Sequence, residues 1–136
     1  VDYSHLVAAV IHKVHQAKIN DASEVEVWGD GMARREFMYA GDLADALIWS
    51  INQFDELPKY MNIGLGVDMT INEYYKEVAK VIGFTGNLTH DETKPVGMIR
   101  KLVNTDLQTK LGWQPKTSLE VGLQKTYEFY LNEIAE

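Results

Sequence analysis

The sequence predicts a small mixed α/β domain of short strands and helices. Three observations predict it: helical periodicity or capping signals in five segments, short alternating strand-like runs between them, and glycine or proline at most breaks. At 136 residues the chain is one domain by length, read as a single unit over 1–136, with enough chain to bury about two-thirds of its unfolded surface. No internal repeat or low-complexity linker interrupts it.

Leu6, Val7, Val10, Ile11, Val14 and Ala17 recur at helical spacing within residues 4–19 and stop at polar Asn20-Asp21-Ala22-Ser23, which predicts an amphipathic helix. Val25 and Val27 alternate with Glu24 and Glu26, so a short strand leads into Trp28 and a turn at Gly29-Asp30-Gly31. The arginine segment through Tyr39 then reads as the returning strand of a hairpin. Asp42 is the expected N-cap of the next helix, whose apolar stripe is Leu43, Ala46, Leu47 and Ile51 and which ends before Asp55 and Pro58. Tyr60 to Ile63 read as a strand, and Gly64 and Gly66 as a loop. Thr70 with Glu73 forms a capping-box pattern that opens a helix through Ile82 to a stop at Gly83. A strand around Asn87 to His90 precedes an irregular basic segment. Two further capping-box patterns, Thr105 with Gln108 and Thr117 with Glu120, announce a short helix ending near Gly112 and a last one running through Tyr130.

Composition narrows the function. The formal charge of −7 argues against broad nucleic-acid binding, which relies on clustered Lys and Arg. No apolar run approaches the roughly 20 residues needed to cross a bilayer, so no membrane partner is expected. With no cysteine, disulfides, thiolate metal sites and a cysteine nucleophile are excluded, which fits a reducing compartment and points to the cytoplasm. His12, His15 and His90 form no metal-ligand spacing. Residue 1 is Val and no signal-peptide pattern follows it, so the chain reads as a trimmed piece of a longer protein.

The chemistry concentrates at Val27-Trp28-Gly29-Asp30-Gly31 and Arg34-Arg35-Glu36-Phe37. Arg offers a fork of donors for phosphate oxygens, Trp a broad π face, and the two glycines a backbone that a ligand can approach closely. A nucleotide diphosphate would satisfy all three. A packed core Trp and a solvated Arg are the ordinary alternatives.

The wider pattern comprises Ser4-His5-Leu6, the Trp-glycine stretch, Arg35-Glu36-Phe37, Asp42-Leu43-Ala44, Asn62 through Asp68, Lys94-Pro95, Arg100-Lys101 and Leu111-Gly112-Trp113. In this order and nearly this spacing, the chain resembles the carboxy-terminal substrate-binding part of extended short-chain dehydrogenase/reductases that act on nucleotide sugars. The resemblance implies a part lacking the Rossmann domain, taken from an NADP-dependent enzyme that epimerises and reduces a GDP-4-keto-6-deoxy-hexose. It leaves a homodimer of the full-length protein open. It implies that Trp28 lies near the nucleotide base or sugar, that Arg35 pairs with the diphosphate, and that Lys13 and Asp91 are substrate-binding. His5 is implied to lie by the nicotinamide and the sugar as the acid/base participant. Arg34 has no clear counterpart and reads as a surface charge, and Arg100 and Lys101 are weaker candidates.

Gly29-Asp30-Gly31 and Gly64-Leu65-Gly66 lack the third glycine of a dinucleotide turn. Four residues after Tyr74 and Tyr75 stand Val78 and Ala79, not the lysine of a catalytic dyad. Tight NADP binding by this chain alone, and activity of this chain alone, are therefore not expected. Ala8, Tyr39, Val96 and Ile99 stand where the family usually has proline, histidine, an acidic residue and proline, which bears on the sugar more than on the fold. Another nucleotide-sugar epimerase or dehydratase, or a noncatalytic nucleotide-sugar binding domain, are the alternative functions.

Overall fold

A computed structural model of the chain describes residues 5–134, so Ser4 lies outside the described residues. In order come α1 (Leu6–Ile19), β1 (Glu24–Trp28), β2 (Arg34–Arg35), α2 (Ala40–Asn52), a 3-10 turn (Phe54–Glu56), β3 (Met69–Thr70), α3 (Ile71–Ile82), β4 (Asn87–Asp91), β5 (Arg100–Lys101), α4 (Asp106–Lys110) and α5 (Leu119–Ile134). The class is the mixed α/β one that the alternation of periods predicts.

The core forms where the apolar stripe of α1 meets β1, α3 and α5. Val10, Ile11 and Val14 pack with Val25, Val27, Tyr75, Val78, Ile82 and Leu123. Strand alternation buries Val25 and Val27 and turns Glu24, Glu26 and Trp28 outward. At the α1–α5 seam, His15 is buried and shares a hydrogen bond through Nδ1 with the Tyr127 hydroxyl at 2.9 Å. His12 does the same with Tyr130 at 2.9 Å.

The hairpin expected after Trp28 does not form. β1 pairs in parallel with β4, from Glu24 opposite Asn87 to Trp28 opposite Asp91, and the Gly29 N–H extends that ladder by donating to the Asp91 carbonyl at 2.8 Å. Gly29 and Gly31, at φ +72° and +69°, turn the chain away. The arginines then join a second sheet, in which β2 lies antiparallel to β3 and parallel to β5.

Three more expectations are corrected. Tyr39, not Asp42, occupies the N-cap position of α2. Asp42 lies buried in the first turn, where its carboxylate accepts from the Thr117 N–H at 3.0 Å and hydroxyl at 2.8 Å. That bond takes Thr117 out of its expected capping box, and Ser118 Oγ accepts from the Val121 N–H instead. Gln108 likewise leaves its box with Thr105 and pairs with the Gly64 main chain in both directions, at 2.9 and 2.8 Å. The Thr70 and Glu73 capping box forms as the sequence predicts.

In the apolar stripe of α2 only Ala46 is buried, whereas Leu47 and Ile51 are 58% and 73% exposed. Tyr60 to Ile63 make no strand, because a strand needs a neighbour for its N–H and C=O groups and none lies beside it among the described residues.

Candidate functional site

A cavity of about 520 Å³ opens between α1, the turn after β1, the start of α3 and the segment at Pro95 and Val96. Lys13, Trp28 and Arg35, three of the sequence-predicted residues, share its wall. Each arrives on a different element: Lys13 from the polar side of α1, Trp28 from the last outward position of β1, and Arg35 from β2.

Trp28 is no core residue, since it is 55% exposed. Its indole N–H donates to Glu26 Oε1 at 3.1 Å, which fixes the ring at the cavity mouth. Lys13 Nζ stands 5.0 Å from the ring centroid and Lys94 Nζ 5.5 Å. Both cations are attracted to the negative π face, so the mouth carries a flat surface and two positive charges. Arg35 is half-buried. Its main-chain oxygen accepts from the Tyr74 hydroxyl at 3.0 Å, and its own Nη1 donates to the Arg34 carbonyl at 2.7 Å. A guanidinium has five N–H donors, so most remain available to an anion.

The neighbouring residues of the same motif do other work. Arg34 donates through Nε to Asp68 Oδ1 at 2.8 Å and through Nη2 to the Asp68 carbonyl at 2.7 Å, while Arg100 grips Asp68 Oδ2. The Asp68 side chain is almost wholly enclosed. Its carboxyl is held below the usual range, first by Arg100 and then by Arg34. Arg34 and Arg100 are thus structural partners of a buried carboxylate. Glu36 accepts from the N–H groups of Leu65, Gly66 at 3.1 Å and Val103 at 3.0 Å. With Gln108 on Gly64, this occupies the main chain of the second Gly-x-Gly loop, which leaves no phosphate cradle there.

The glycines after Trp28 do not open backbone to a ligand as the sequence reading has it. A Cβ on Gly29 would stand 2.8 Å from Val96 Cγ2, and one on Gly31 would overlap the Asn72 amide. Protein side chains fill both places.

His5 and Asp91 stand apart from the cavity wall. His5 is exposed at the N-cap position of α1, with no side-chain capping bond, next to Leu6, which does line the cavity. Asp91 ends β4 opposite Trp28. Its Oδ1 accepts from the Thr93 N–H at 3.0 Å and from the Thr93 hydroxyl, and Oδ2 lies 3.8 Å from Lys94 Nζ. Those hydroxyl and amide bonds, with Lys94 adding to them, hold the carboxyl below its ordinary value. Asp91 therefore anchors the loop that brings Lys94 over Trp28.

His12 and Tyr75 are the polar wall residues that the sequence reading did not assign to the site. Leu6, Ala9 and His12 share a helix face by their spacing of three, as Ile71 and Tyr75 do by their spacing of four. That spacing was the available signal.

Residues 2–64 match the sequence model of the NAD dependent epimerase/dehydratase family. The chain is 52% identical over 130 residues to a GDP-L-colitose synthase of Yersinia pseudotuberculosis, covering 96% of this chain and 42% of that protein. It is 44% identical over 135 residues to a GDP-L-fucose synthase of Azorhizobium caulinodans, covering 98% and 43%. Among solved structures, a GDP-mannoheptose C4 reductase of Campylobacter jejuni with NADP bound superposes with a TM-score of 0.80 at 30% identity, covering 94% of this chain and 45% of that one. The chain spans less than half the length of the relatives it matches.

Proposed function

We propose that this chain, which resembles over nearly all its length the carboxy-terminal part of the GDP-L-fucose synthases, is the substrate-binding domain of an NADP-dependent epimerase/reductase acting on a GDP-4-keto-6-deoxy-hexose. One observation carries the reading: Lys13, Trp28 and Arg35 reach a single cavity from three elements. Lys13 and Arg35 bring positive charge to a diphosphate, and Trp28 offers its face to a ring.

In this scheme NADP, held by the rest of the protein, supplies the hydride. His5 lies at the exposed start of α1, where an imidazole can meet a ligand spanning both parts. Beside a keto group whose carbonyl stabilises a carbanion, it serves as one of two proton-transfer groups: one removes the proton from the neighbouring carbon and the other, on the opposite face and held by the rest of the protein, completes the inversion. Asp91 acts on substrate through the Lys94 loop, and its remaining acceptor capacity suits a sugar or ribose hydroxyl. The unpartnered face of α2 and the strandless Tyr60 to Ile63 segment are where the rest of the protein packs. No helix among the described residues is long and apolar enough to cross a membrane. We assign the enzyme to the cytoplasm, as one acting on a nucleotide sugar.

The test uses the full-length protein. Arg35→Ala is expected to weaken GDP binding about tenfold in calorimetry, the scale of losing a charge-assisted contact. Unchanged affinity would remove the diphosphate role. A turnover panel containing the precursors of GDP-L-fucose and GDP-L-colitose fixes the sugar, and turnover only of UDP-sugars would redirect the reading to another epimerase or dehydratase of the superfamily.

A further inference from the structure

The cavity wall contains a hydroxyl that the fold leaves unused. Tyr75 is 3% exposed and its ring packs in the core, yet it also lines the cavity. Its neighbour Tyr74 donates to the Arg35 carbonyl, but the Tyr75 hydroxyl has no hydrogen-bond partner among the described residues. No fully enclosed side-chain oxygen among those residues lacks a partner, so Tyr75 Oη keeps its small accessible surface on the cavity side. Burial, with the Glu26 charge added, pushes its pKa up to about 12, so the group remains a neutral O–H donor throughout the physiological range. A donor that faces the cavity and has no acceptor among the described residues is free to pair with whatever occupies it.

Position says which part of the occupant this is. His5, at the start of α1, marks the end where the sugar reacts. His12 lines the cavity two helical turns further on, about 10 Å at 1.5 Å per residue. Ile71, one turn before Tyr75 on α3, lines the same cavity, and so does Ala33, whose carbonyl accepts from the Ile71 N–H at 3.0 Å. Such a wall would leave most hydroxyls of a hexose unpaired, whereas a flat heterocycle presents apolar faces to it and its polar atoms only at the edge.

We propose that Tyr75 Oη donates a hydrogen bond to a ring acceptor of the substrate's nucleobase, making Tyr75 a specificity-determining residue of the site. The inference rests on the nucleotide-sugar reading above, and the experiment separates the two. In the full-length protein, Tyr75→Phe removes one oxygen that no described residue bonds, so its Tm should match the unsubstituted protein. It is expected to weaken guanosine and GDP by the same factor, about fivefold, the scale of one neutral hydrogen bond. Arg35→Ala should weaken GDP and leave guanosine untouched. Tyr75→Phe binding guanosine and GDP as tightly as the unsubstituted protein overturns the proposal, and so does a loss confined to the GDP-sugar. A loss of guanosine affinity in Tyr75→Phe beside an indifferent Arg35→Ala supports the nucleobase contact and removes the diphosphate assignment instead.

Discussion

Glu36 shows how a single residue of the motif holds the cavity wall together through main-chain contacts. Its carboxylate accepts three main-chain N–H groups from the 65–66 and 103 segments, and it follows Arg35 directly, so it pins the strand that aims the guanidinium. Glu36→Ala would strand those donors and should destabilise the protein by about 2–4 kcal/mol in chemical denaturation, since each unsatisfied buried donor costs roughly 1–3 kcal/mol and water recovers part of it. Asp68 predicts a pH dependence. Its carboxyl is depressed in the fold by Arg100 and Arg34, so the unfolded chain binds its proton more readily. The stability it contributes is complete above the ordinary carboxyl range near pH 4 and is lost as pH falls through the depressed folded value. Asp68→Asn should flatten that acid limb of a Tm against pH curve; an unchanged limb would mean that other carboxylates carry it. The separate singling-out of Arg35, Trp28 and Lys13 was readable from the family pattern, as was the expectation that Arg34 differs from Arg35, whereas the meeting of the three at one cavity was not. The partners of Arg34 and Glu36 were not, because they lie some thirty residues or more along the chain and no local period relates them.

Between elements, the α1–α5 seam carries a second titration. His15 is desolvated by burial, with the His12 and Lys18 charges adding to the effect, so its pKa is lowered in the fold. A lowered histidine pKa gives stability that is full above the ordinary value near 6.5 and is lost as pH falls below it. Protection of the α5 amides, relative to their intrinsic exchange at each pH, should therefore fall between about pH 7 and 5, and His15→Phe should remove that fall, since it keeps the ring and drops the titrating group. Helix α2 predicts a different behaviour. Leu47, Ile48, Ile51 and Phe54 form an exposed apolar run at its end, and such a surface marks a contact or an association hazard. The 136-residue chain alone should bind a hydrophobic dye or self-associate, and Ile48→Glu with Ile51→Glu should abolish this without lowering the Tm. The existence of α1 and α2 was legible from periodicity and that of α3 and α5 from capping patterns. What their faces touch was not: the same 3.6-residue stripe lies in the core on α1 and on the surface on α2, because periodicity reports amphipathicity and not the identity of the neighbour.

For the whole molecule, the chain brings Lys13, Trp28 and Arg35 to one cavity but carries neither a glycine-rich dinucleotide turn nor a Tyr-x-x-x-Lys dyad. We expect this chain alone to oxidise no NADPH, and measurable oxidation by the purified 136 residues would refute that. The sequence by itself determined the α/β class, the positions of the helices and longer strands, and the family pattern that singles out Lys13, Trp28 and Arg35, since these depend on local periodicity, capping chemistry and motif order. Only the tertiary structure decided that β1 ladders with β4 and not with the arginine strand, that Gly29 and Gly31 make room for Val96 and Asn72, and that His5 and Asp91 stand outside the cavity while His12 and Tyr75 line it. Strand pairing and cavity walls are settled by which distant backbone edges and side chains meet when the core closes, and that competition is decided by packing and hydrogen-bond satisfaction over the whole chain.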